Sequence, residues 1–90
     1  MPVYMISYDL KFPGRDYPKI EKMIKQLGSC IKPLSSLWFI DTHLSSVQIR
    51  DALISAVDIN DRILVVPVIR GAAAKNVEQQ NWNWIESHLK

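Results

Sequence analysis

Ninety residues carry a formal charge of +2, 48% hydrophobic residues and one cysteine. The length suits one domain, 1–90, and Cys30 standing alone excludes an internal disulfide or a cysteine-built zinc site. No apolar run approaches the roughly 20 residues of a membrane span, and no signal-peptide pattern is present, so we expect a reducing, cytoplasmic location without membrane contact.

A chain this small buries only about 60–65% of the surface its unfolded form exposes. Three Trp, three Tyr and two Phe are a generous apolar supply for so small a domain. Part of that supply is expected on a face that needs a partner chain, which implies a homodimer. Charge is uneven: residues 1–35 hold six basic groups against three acids, Asp9, Asp16 and Glu21. A local basic face of this kind is either solvated or meets RNA or DNA.

In chain order, Val3–Leu10 (VYMISYDL) alternates two largely apolar side-chain sets and reads as a central strand. Pro13-Gly14 marks a turn, and Asp16 is placed to cap a helix. Tyr17, Ile20, Met23, Ile24 and Leu27 recur at helical spacing, and Gly28 reads as a left-handed cap. Cys30–Ser35, with Pro33, suits an edge or a bulge, and Ser36–Thr42 is a stronger strand, the two forming a hairpin or one bent strand. Ser45 with Gln48 is a capping box, and Leu44 can staple onto Ile49. That helix is expected to run to about Val57, with Ile49, Leu53, Ala56 and Val57 inward. Arg62–Ile69 (RILVVPVI) needs cover on both faces, and Pro67 marks a break or an unpaired edge. Residues 75–90 read as a final helical extension with Trp82, Ile85 and Leu89 on one stripe and Trp84 off it.

This order implies an α+β fold, a ferredoxin-like βαββαβ sandwich with an added C-terminal helix. Two helices cover one sheet face. The other face is apolar, and its cover is expected from the C-terminal helix, a second subunit, or both.

The SYDL ending of the first strand, the helix ending in LG, Ser36-Leu37-Trp38, the LS helix start and DRILVVPV together resemble one family. It is the small CRISPR-associated protein numbered two, with its relative the VapD ribonuclease toxins. The nearer likeness is to short bacterial proteins labelled SinR-like, although no helix-turn-helix is legible here. The resemblance covers about residues 3–69. It implies a homodimer in which an aspartate ending the first strand faces its twin, binds Mg²⁺ or Mn²⁺ and cuts RNA or DNA. Asp9 matches that catalytic and metal-binding position, Arg15 the basic loop, Ser36 the family serine and Trp38 its aromatic. Family members often add a fifth strand that pairs with the neighbouring subunit, whereas residues 75–90 read as a helix here. Many members work as structural dimers instead.

On the residues themselves, Asp9 is either one oxygen ligand per chain for a hard cation or a strand-end carboxylate meeting loop amides. Lys11, Arg15, Lys19 and Lys22 can track phosphates, with Trp38 and Tyr8 as stacking partners or, for Trp38, as core. His43 and His88 lack companions at metal-ligand spacing. Ser7 and Ser36 lack a nucleophile elbow, and no phosphate-cradling glycine motif occurs. Three functions stay open, the first two being a metal-dependent endonuclease acting through paired Asp9 and a non-catalytic dimeric adaptor for nucleic acid or protein. A ligand-binding regulatory module is the third.

Overall fold

The computed structural model describes residues 2–10, 17–69 and 71–89. In chain order the elements are β1 (Val3–Asp9), α1 (Tyr17–Leu27), β2 (Ser29–Leu34), β3 (Leu37–Asp41), α2 (Ser46–Ile54), β4 (Arg62–Val68) and α3 (Gln79–His88). The strands form one antiparallel sheet in the order β2-β3-β1-β4, so the fold is α+β. The expected Pro13-Gly14 turn and Asp16 cap lie outside the described residues.

The alternation in β1 divides the core in two. Tyr4, Ile6 and Tyr8 point to the helix layer and are buried with Ile20 and Ile24 of α1, Ile49 and Leu53 of α2, and Trp38 and Ile40 of β3. Ile20, Met23, Ile24 and Leu27 of α1 thus face inward as their spacing predicts, while the Tyr17 side chain lies outside the described residues. On the opposite face Val3 is buried with Ile85 and Leu89 of α3, and Ile31, Phe39, Val68, Trp82 and Trp84 pack around them. The chain's own tail therefore covers one end of the second face. At the other end Ser7 pairs with Leu37 and Leu64, and Leu64 remains 60% exposed.

Both strand prolines sit where their missing N–H costs no ladder bond. Pro33 falls in a register irregularity between Ile31 and Leu34 on edge strand β2. Pro67 lies on the opposite edge strand. Its parity follows from one bond: the Thr42 N–H donates to the Pro2 carbonyl at 3.2 Å, so even-numbered β1 residues turn their peptide groups toward β3 and odd-numbered ones toward β4. The β4 residues opposite the odd set are Arg62, Leu64, Val66 and Val68. Ile63, Val65 and Pro67 consequently aim their peptide groups at the outer edge.

Two expectations change. Gly28 is not a left-handed cap, since Gly71 is the glycine with positive φ among the described residues. Gly28 is needed for space: a Cβ there would overlap the Asp41 carbonyl oxygen and press on Thr42 Cβ at 3.3 Å. And α2 stops at Ile54, short of Val57. Past the Ser55 cap the chain tightens, with the Ala56 N–H bonding Leu53 O at 2.9 Å and the Val57 N–H bonding Ile54 O at 3.4 Å. Ala56 is still buried at 1% exposure, so the apolar pattern reported burial beyond the helix itself.

Candidate functional site

Asp9 is the last residue of β1, where the strand has run past the cover of α3. Its side chain is exposed and its Cα pairs with that of Arg62 at the start of β4. Ser7, Tyr8, Asp9, Arg62, Ile63 and Leu64 line an open depression of about 190 Å³. Among the described residues Asp9 makes no hydrogen bond or ion pair, and no three His, Cys, Asp or Glu side chains gather as a ligand set. What the site offers a cation is one solvated carboxylate per chain, beside a guanidinium-bearing position.

Trp38 belongs to the core. It is 4% exposed, and its Nε1–H donates to the Tyr8 hydroxyl at 3.1 Å. The register explains this: Trp38 pairs with Ile6 on the helix-facing side of the sheet. The expected stacking role is corrected accordingly, because neither Trp38 nor the buried Tyr8 presents a face to a base. The Lys32 ammonium lies 5.8 Å from the Trp38 ring centroid and is ion-paired to Glu21.

Of the basic set, Lys11 and Arg15 lie outside the described residues. Lys19, Lys22 and Lys25 are exposed along the solvent side of α1. Their order follows from the helix, which buries Ile20 and Ile24 and leaves the i, i+3, i+6 set outward. His43 is exposed. Ser36 is half-buried in the two-residue turn between β2 and β3 and has no hydrogen bond among the described residues. Cys30 is half-buried; burial raises its thiol above the ordinary value of 9.0, and the Lys25 charge pulls the other way more weakly.

Two features lie beyond what spacing alone shows. The first is the set of polar and ring contacts that dock the tail on the face it was expected to cover. Trp84 stacks on His88 with ring centroids 3.9 Å apart, and its Nε1–H donates to Ser29 Oγ at 3.0 Å. His88 Nδ1 lies 2.8 Å from the Trp84 carbonyl oxygen and its Nε2 lies 3.7 Å from Asp41 Oδ2. Asp41 Oδ1 is buried and has no hydrogen-bond partner among the described residues. Trp84, off the apolar stripe of α3, thus uses its ring and donor within the chain as an anchor of the tail. The second is the flank of β4. Val47, Arg50, Ile63, Leu64 and Val65 line a groove of about 190 Å³ that continues past Ile54 into one of about 530 Å³. Val47, Ile54 and Leu64 are 53%, 55% and 60% exposed. The only hint in the sequence was Pro67.

No helix among the described residues is long and apolar enough to cross a membrane. The chain matches no protein-family model, no curated protein and no solved structure.

Proposed function

We propose that this chain is a small homodimeric adaptor, a ferredoxin-like α+β protein similar to the structural dimers among the CRISPR-associated and VapD-like proteins. Read from its other edge, the strand order is β4-β1-β3-β2, which supports the ferredoxin-like reading. The observation that carries the adaptor is the outer edge of β4. An apolar strand with outward peptide groups, flanked by exposed Val47, Ile54 and Leu64, is built to be covered by another chain. Its cargo in this reading is RNA or DNA, held through the phosphates by Lys19, Lys22 and Lys25.

A second reading is supported by Asp9. An exposed carboxylate at an open strand end is available to Mg²⁺ or Mn²⁺, which would lower the pKa of a bound water and offset charge on a phosphate. One experiment separates the two. Labelled RNA and DNA are incubated with the protein and Mg²⁺ or Mn²⁺, with anisotropy followed across salt. The adaptor binds without cutting, with an affinity that falls steeply as salt rises. Metal-dependent cleavage that disappears in Asp9→Asn would replace the adaptor with the nuclease.

A further inference from the structure

We propose that β4 is the seam of a two-fold dimer, in which the β4 strands of two copies pair antiparallel about Leu64 to make one continuous eight-stranded sheet. This deepens the adaptor reading and rests on it in treating the open edge as an interface; it names the occupant as a second copy of this chain. It also differs from a dimer joined through the sheet face opposite α1 and α2, because α3 already occupies one end of that face.

The backbone carries the first part of the argument. Ile63 and Val65 turn their N–H and C=O groups outward, and no described strand pairs with that side. A two-fold at Leu64 sets Ile63 of each copy opposite Val65 of the other. All four groups on each strand are then bonded, and Pro67 stays outside the ladder, where its missing N–H does no harm. The edge lacks the devices that guard β2, the opposite edge, where Lys32, Pro33 and the register irregularity interrupt pairing. Only Arg62 and Pro67 stand near the ends of β4.

The second part comes from α2, which lies beside β4 and shares its groove. Val47, Arg50, Asp51 and Ile54 are all exposed, and their order is self-complementary. An antiparallel approach of two α2 helices about their midpoint sets Val47 of each against Ile54 of the other. The same approach brings Arg50, already paired to Asp51 at 2.9 Å in its own chain, beside the other copy's Asp51. Four alternating charges then close over an apolar floor. Arg50 lines both grooves with Ile63, so the midpoint of α2 stands near Leu64, and one axis serves helix and strand together. A different partner would meet the strand edge as well, but not this symmetric run of side chains.

Sedimentation equilibrium of the full chain from about 1 µM to about 500 µM tests the seam, with circular dichroism to verify that each variant is folded. Dimerisation is expected in the parent protein. Leu64→Lys and Ile54→Lys should each weaken it by roughly a hundredfold, since each would bury an unpaired charge. Leu37→Lys, two strands from the seam on the face opposite the α1–α2 layer, should leave it intact. Amide exchange at Ile63 and Val65 should slow as protein concentration rises. A monomer throughout the range, a dimer that survives Ile54→Lys or breaks in Leu37→Lys, or edge amides indifferent to concentration would overturn the proposal. A monomer throughout would also remove the homodimer of the adaptor reading, whereas a dimer that survives Ile54→Lys or breaks in Leu37→Lys overturns the seam alone; nucleic-acid binding is read independently of all of these outcomes.

Discussion

At Gly28 the chain passes the Asp41 carbonyl so closely that any Cβ would overlap it, and the carbonyl atoms it would strike are backbone. A flexible side chain could swing aside; the end of β3 cannot, since Asp41 is held in register by both Val3 and Ser29. Gly28→Ala should therefore destabilise the protein by about 1–3 kcal/mol, a drop of several degrees in melting temperature for a domain of this size. Gly28→Asn discriminates the cause. Asparagine tolerates a left-handed cap but carries the same Cβ, so it should be as damaging as alanine in a thermal melt. Cys30 makes a second prediction at this scale. Burial lifts its thiol above 9.0 in the folded chain, so between the unfolded and folded values the native state holds the extra proton. Its contribution to stability is therefore complete below the unfolded pKa and declines as pH rises above it. Cys30→Ala should show a shallower loss of melting temperature above about pH 9 than the parent, and the parent thiol should react with a disulfide reagent more slowly when folded than in denaturant.

The elements differ in how much of them could be read before folding. Where the determinant is local, reading succeeds: the stripe of α1 and the Ser45–Gln48 box need only spacing. The box is present, with the Gln48 N–H bonded to Ser45 Oγ at 3.2 Å and the Ser45 N–H to Gln48 Oε1 at 2.9 Å. Ser45→Ala should cost about 1 kcal/mol in denaturant melts. Pro33 and Pro67 also announced their edges, because a missing N–H is tolerated in few other places. Trp38 was legible only in part, since its two fates share one sequence and are separated by the register that sets it beside Ile6. The docking of α3 was least legible. The spacing of Ile85 and Leu89 gave its inward face, but the bond from Trp84 to Ser29 joins positions 55 residues apart and exists only once β2 is placed. Trp84→Phe keeps a ring over His88 and removes that donor, so a loss of about 0.5–1.5 kcal/mol is expected. Faster amide exchange should be confined to α3 and the β2 residues beneath it; a loss spread evenly over the sheet would contradict this docking.

For the whole molecule, the seam at β4 and a metal shared between two Asp9 carboxylates exclude one another. Asp9 pairs with Arg62, two residues along β4 from the proposed axis at Leu64 and one strand further in. With strands about 4.8 Å apart and about 3.4 Å per residue, the two Asp9 positions fall about 20 Å apart across the seam. A Mg²⁺ ion binds oxygen at about 2.1 Å, so no single ion bridges that gap. Any cation held by Asp9 in such a dimer is held by one chain alone. Titration with Mn²⁺ followed calorimetrically should then give either no Asp9-dependent heat or one site per chain. That result should be the same in Leu64→Lys, because breaking the seam leaves each carboxylate where it was. One Mn²⁺ per two chains, lost in both Asp9→Asn and Leu64→Lys, would require the carboxylates to meet, and the copies would then have to join through the uncovered end of the sheet face around Ser7, Leu37 and Leu64 rather than through the edge.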